Sequence, residues 1–197
     1  PLVASEMAGA FIKGVQSKNV GTSIKHFLAN NQETRRMSGD SRVDERTLNE
    51  IYLAAFEGAV KKQKPWTVMC SYNKINGVYA AENHKYLTET LRDQWGFDGY
   101  VMSDWGAVNN RVEDLKAGLD LEMPTSFGAN DKLIVGAVQC GNLEESDVDA
   151  AVERILNIVF RYEENRDKNA VWDKDKDHEL ARKVAGETIV LLKNEGI

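Results

Sequence analysis

Four short apolar runs constrain this chain most. They are Thr22-Ser23-Ile24-Lys25-His26-Phe27, Trp66-Thr67-Val68-Met69-Cys70-Ser71-Tyr72, Gly99-Tyr100-Val101-Met102-Ser103-Asp104 and Leu119-Asp120-Leu121-Glu122-Met123. Each has the length and apolar, β-branched or aromatic character of a strand buried in a sheet. Their starts lie 44, 33 and 20 residues apart. A hairpin needs only a few residues between strands, whereas a parallel pair needs a crossover of a dozen or more. The spacing therefore predicts an α/β fold around a parallel sheet. Four βα units are half of a (β/α)8 barrel, a fold that takes ~250 residues in full. Periodicity alone leaves half a barrel and a small open sheet as equal readings.

The intervening stretches supply the helices. Leu48, Ile51, Tyr52, Ala55, Phe56, Ala59 and Val60 follow the i, i+3, i+4, i+7 series over 44–60, with Asp44 as N-cap. Val148, Ala151, Val152, Ile155, Leu156 and Val159 repeat it over 147–160, where Ser146 and Asp149 resemble a capping box. Shorter helices are expected near 85–95, 108–117 and 131–140. Leu2, Val3, Met7, Phe11 and Val15 begin a helical pattern directly after Pro1. The charge-dense stretch 161–178 reads as a solvated connector, and Thr188–Lys193 as the beginning of a further strand. The expected division is 1–162 and 163–197, and the chain reads as an internal piece of a longer protein.

Composition narrows the function. The formal net charge is −6, from 25 Lys and Arg against 31 Asp and Glu, which disfavours nonspecific nucleic-acid binding. No apolar run approaches the ~20 residues of a membrane helix. The compartment stays open, with the cytoplasm slightly favoured over secretion. Cys70 and Cys140 match no zinc spacing, and two buried thiols are the expectation over one bridge. Three scattered His give no metal-ligand spacing, so neither metal nor cofactor is expected.

In parallel α/β folds, functional groups gather at the carboxyl ends of strands. Here those ends read Lys25-His26, Ser71-Tyr72-Asn73, Ser103-Asp104-Trp105 and Glu122-Met123-Pro124. Together they would make a rim of hydrogen-bonding groups with aromatic walls, the composition that a sugar ring requires. Glu33, Arg35 and Arg36 are expected to form an ion-pair scaffold behind it. Glu122 is expected to be structural, His84 and His178 to lie at the surface, and Trp66 and Trp95 to pack in the core.

The runs "IKHFLANNQETRR", "VMCSYNKING", "GYVMSDWGAV" and "GLDLEMP" resemble glycoside hydrolase family 3, in its β-glucosidase branch. The resemblance covers nearly the whole chain in order. It implies the second half of a TIM-like (β/α)8 barrel, followed by a charged linker toward an α/β sandwich domain. It implies a retaining β-glucosidase acting on terminal β-D-glucosyl residues of a small β-glucoside or oligosaccharide. By resemblance Asp104 is the catalytic nucleophile, Lys25 and His26 hold the sugar hydroxyls, and Met69, Tyr72 and Trp105 line the subsite. The acid/base residue is then expected in the next domain, outside this chain. The rest of the protein or another chain is accordingly a required partner, and the isolated 197 residues are expected to be inactive.

Other readings compete. A β-xylosidase or another exo-glycosidase of the family is the nearest, although Trp105 favours the glucosidase branch. A Schiff-base enzyme built on Lys25 would need that amine desolvated. A noncatalytic sugar-binding module is the third.

Overall fold

The structure, a computed structural model, describes residues 1–196. The chain divides into two compact units, 1–166 and 167–197. In the first, helix α1 (Leu2–Gln16) leads to strand β1 (Ser23–Phe27) and a short β2 (Asp40–Ser41). A single helical run follows, from α2 (Glu45–Thr47) through a π-helical stretch (Leu48–Leu53) into α3 (Ala54–Gln63). Then come β3 (Thr67–Cys70), β4 (Lys74–Ile75), β5 (Val78–Tyr79), a 3-10 turn (Ala80–Glu82) and a π-helical segment (Lys85–Gln94). The unit ends with β6 (Tyr100–Met102), α4 (Arg111–Ala117), α5 (Ala129–Gln139) and α6 (Glu145–Glu164).

The main sheet has the order β1-β3-β6, parallel throughout. The alternation of strand and helix thus gives the parallel α/β sheet expected from the spacing. The first three expected strands are all in it. The fourth, 119–123, is reduced to a single parallel bridge between Met102 and Leu121. Around it the Asp120 and Leu121 amides donate to the Val101 carbonyl (3.0 and 3.1 Å), the Ser103 amide donates to the Leu121 carbonyl (2.9 Å), and polar side chains reinforce this pairing. Asp120, fully buried, accepts from the Val101 amide (2.7 Å), from Arg92 (2.6 Å) and from Arg154 on α6 (2.9 Å). Ser103 accepts from the Met123 amide (2.8 Å) and donates to the Met123 carbonyl (3.1 Å). β2, β4 and β5 form a separate small sheet.

The core lies between the main sheet and its helices. Phe27, Leu28, Leu48, Val68, Leu87, Leu91, Val101 and Leu119 are buried there. Each such side chain contributes about 1.5–3 kcal/mol on removal from water. Phe27 meets Phe56 and Trp95 edge-on at 5.2 and 6.0 Å. Trp66 and Trp95 are buried, as expected.

Several local expectations need correction. Asp44 does cap its helix, accepting from the Thr47 amide at 3.0 Å. The capping box at Ser146 does not form, because α6 begins at Glu145 and places Ser146 inside the first turn. The stretch 161–178 is not one connector: α6 runs through Glu164, and helix α7 begins at Lys174. Of the two thiols, Cys70 is buried but Cys140 is exposed, and both are free.

In the second unit, α7 (Lys174–Thr188) is capped by Asp173, whose carboxylate accepts from the Lys176 amide at 3.2 Å. The strand expected at 188–193 is absent. Thr188 closes the helix through its hydroxyl to the Val184 carbonyl (3.0 Å), and Ile189 to Leu192 stay exposed. A strand exists only where a neighbour accepts its ladder, and those residues have none among the described ones.

Candidate active site

The carboxyl ends of β1, β3 and β6 stand side by side, so the residues that follow each strand share one rim. A β-bulge shapes the first of them. Between the pairs Ile24–Val68 and Phe27–Cys70, β1 carries one more residue than β3. A bulge re-aims side chains that a regular pleat would send to opposite faces. Lys25 and His26 lie in it, and both line one cavity of about 420 Å³ with Asn30, Asn31 and Tyr52. The Lys25–His26 and Phe27–Leu28 peptide bonds are cis.

Hydrogen bonds lock these ends together. The Ser71 hydroxyl accepts from the Leu28 amide and donates to its carbonyl, both at 2.9 Å. Asn73 donates to the same carbonyl at 3.2 Å. Both residues are therefore structural ties between β1 and β3, whereas Tyr72 between them is left to face the rim.

Asp104 follows β6 in a tight turn. Its Oδ1 accepts from the Trp105 amide at 2.7 Å, and its carbonyl accepts from the Ala107 amide at 3.0 Å. Gly106 supplies the left-handed conformation (φ 77°) that this turn requires. Asp104 is mostly buried, at 8% exposure, while Trp105 is half exposed.

Three expected residues meet here. His26 Nε2 lies 3.3 Å from Asp104 Oδ2. Burial, then the Lys25 charge, hold the imidazole below its ordinary value, against the pull of Asp104. The two groups stand within ion-pair distance, with the imidazole proton held less tightly than in a free histidine. Burial, then interaction with Asp104, raises the Tyr72 phenol, so it stays a protonated donor facing the same group.

The others surround this centre. Met69 is buried on β3, in register with Met102 of β6. Lys25 is exposed and reaches the centre through its charge on His26. That exposure lacks the desolvation a Schiff-base lysine needs. Glu122 accepts from Asn130 at 2.6 Å, the structural role expected of it. His84 and His178 are exposed.

Arg36 exceeds the role expected of it. It pairs with Glu33 at 3.0 Å, and its guanidinium also stands 4.9 Å above the centre of the Tyr72 ring. It acts on both His26 and Tyr72 electrostatically. Nothing in the local spacing signals this, because the contact joins residues from two loops.

Residues 1–158 match the model of the glycosyl hydrolase family 3 N-terminal domain. The chain belongs to glycosyl hydrolase family 3. It is 60% identical to thermostable beta-glucosidase B of Acetivibrio thermocellus, covering 99% of this chain and 26% of that one. It is 50% identical to an exo-alpha-(1->6)-L-arabinopyranosidase of Bifidobacterium longum, covering 99% of this chain and 26% of that one. Among solved structures, beta-glucosidase 3B from Thermotoga neapolitana in complex with alpha-D-glucose superposes with a TM-score of 0.92 at 46% identity. That match covers 99% of this chain and 28% of that one. The chain thus spans about a quarter of the length of the curated relatives it matches. The family membership agrees with the resemblance drawn from the motifs.

Proposed function

We propose that this chain supplies the nucleophile side of a retaining β-glucosidase active site. The reading rests on one observation: the His26–Asp104 contact of 3.3 Å at two strand ends of a family 3 chain. Asp104 Oδ1 is fixed by the Trp105 amide, which leaves Oδ2, in looser contact with His26, to attack the anomeric carbon. The bond from that carbon to the leaving oxygen breaks as a glycosyl ester forms. A second carboxyl residue, expected outside these 197 residues, protonates the leaving oxygen. It then deprotonates the water that releases the sugar.

Tyr72 acts as a neutral donor beside the carboxylate, and His26 stands next to its free oxygen. Donors that tighten on developing charge lower the barrier rather than merely bind substrate. Lys25 holds sugar hydroxyls at the mouth of the site. Met69 and the half-exposed Trp105 give the ring its apolar walls, and Arg36 extends the cationic side of the rim. The covalent step divides one difficult displacement into two easier ones.

The B. longum relative supports a second reading with the same chemistry. An α-L-arabinopyranoside presents a pyranose ring without the exocyclic hydroxymethyl group. The two are separated by comparing kcat/KM on nitrophenyl β-D-glucoside and nitrophenyl α-L-arabinopyranoside with the full-length enzyme. The mechanism is tested by proton NMR of the first-formed product. Release of the β-anomer supports retention through Asp104, and release of the α-anomer from a β-glucoside overturns it.

A further inference from the structure

Most large apolar side chains left exposed in the first unit lie on helices, such as Leu2, Met7 and Phe11 on α1 and Leu156 and Val159 on α6. Met37 is different. It is 55% exposed on the loop between β1 and β2, and that loop reaches the turn carrying Asp104 and Trp105.

The loop holds Met37 in a fixed place. The Arg36 amide donates to the Glu33 carbonyl at 3.2 Å, and the Ser38 and Gly39 amides donate to the Arg35 carbonyl at 3.0 and 2.8 Å. The Gly39 carbonyl in turn accepts from the Lys74 amide of β4 at 2.8 Å. Two consecutive side chains then part. The Arg36 guanidinium stands over the Tyr72 ring, whereas the Met37 methyl carbon comes 4.0 Å from the position that a Cβ on Gly106 would take. The turn at Gly106 is itself tied down, because the Gly106 amide donates to the Met123 carbonyl at 3.1 Å. Two anchored loops thus meet at Gly106, one bringing Met37 and the other Trp105.

Packing does not account for Met37, since a side chain more than half exposed removes little apolar area from water. Exposed apolar surface beside a site is where a ligand's own apolar surface is buried. A thioether on three rotatable bonds also adapts readily to an aromatic ring. Exposure rises along the rim from Asp104 at 8% to Trp105 at 51% and Met37.

We propose that Met37 is a specificity-determining residue that extends the wall begun by Trp105 outward to the aglycone and favours aromatic aglycones over small alkyl ones. This rests on the glycosidase reading above. An enzyme that removes a terminal sugar takes that sugar inward, so the group beyond the scissile bond lies toward the mouth, where Met37 stands.

The test compares kcat/KM of the full-length protein on phenyl β-D-glucoside and methyl β-D-glucoside with that of its Met37→Ala, Met37→Gln and Met37→Leu variants. Each substrate is compared with itself across variants, so intrinsic leaving-group ability cancels. The phenyl-to-methyl ratio is expected to fall roughly 10-fold in Met37→Ala and Met37→Gln, and to stay within about twofold of the parent in Met37→Leu. Met37→Gln keeps the side-chain length, so the comparison survives a Met37→Ala variant that does not fold. Inhibition by free glucose, which carries no aglycone, is expected to keep its parent strength. A ratio that does not move overturns the proposal. An equal loss on both substrates, or weaker glucose inhibition in step with the loss, also overturns it by giving Met37 a structural role. A parent that hydrolyses neither glucoside overturns the glycosidase reading and this inference with it, whereas a parent that hydrolyses both while the ratio stays fixed overturns the role of Met37 alone.

Discussion

Asp104 and its immediate donors carry the chemistry proposed here, and each can be removed singly. Asp104→Asn keeps the Trp105 amide contact but removes the attacking charge. Turnover by the full-length enzyme is expected to fall by roughly 10⁴-fold or more, as for other groups essential to a covalent step, with its unfolding temperature little changed. Tyr72→Phe removes one hydroxyl that faces Asp104. Losing a hydrogen bond to a charged group is worth about 1.5–3 kcal/mol, so steady-state kinetics are expected to show kcat reduced by roughly 10–100-fold with KM nearly unchanged. A fall confined to KM would mean that Tyr72 binds the ground state only. At this scale the sequence was informative where motif and strand end coincide, as for His26 and Asp104. It was silent on Arg36 over Tyr72, because that contact depends on which loops meet, and no local spacing encodes that.

At the scale of elements, side-chain ties reinforce a short backbone pairing. The backbone bonds at the Leu121 bridge are few, and Asp120 adds ties to the Val101 amide, Arg92 and Arg154 beside them. Asp120→Ala would strand a nearly buried guanidinium and a buried amide. The expected loss is about 3–5 kcal/mol, read from denaturant unfolding of the full-length protein; a loss below 1 kcal/mol would show that the hub is dispensable. Gly99, just before β6, has a different role. A Cβ there would overlap the Trp66 carbonyl oxygen on the neighbouring chain segment. Gly99→Ala is expected to cost about 1–3 kcal/mol by forcing that backbone apart, again checked by unfolding. Apolar runs and their spacing made β1, β3 and β6 legible, since a buried parallel strand must be apolar along its length. The residues around Leu121 satisfy the same apolar pattern, but their backbone pairing stops at one bridge and a few bonds, reinforced by Asp120 and Ser103. The run 188–193 differs for the opposite reason: its residues suit a strand, but among the described residues no neighbour pairs with it.

For the whole molecule, the chain is an α/β member of glycosyl hydrolase family 3 whose main sheet has β1 at one side and the Leu121 bridge at the other. A parallel sheet is stable when covered, and exposed ladder groups invite pairing. The account therefore assigns the second carboxyl residue and the remaining walls of the site to other parts of the protein. The 197 residues expressed alone are expected to hydrolyse nitrophenyl β-D-glucoside at less than roughly 10⁻³ of the full-length rate, because one carboxylate without its acid partner cannot complete the cycle. Full activity in that piece would place both carboxylates within it. The central claim is the covalent role of Asp104, and the most direct measurement is to inactivate the full-length enzyme with a 2-deoxy-2-fluoro-β-glucoside and map the labelled peptide by mass spectrometry. The account predicts a fluoroglucosyl ester on the peptide spanning Gly99–Trp105, at Asp104. A label on any other carboxylate, with Asp104 unmodified, would contradict it.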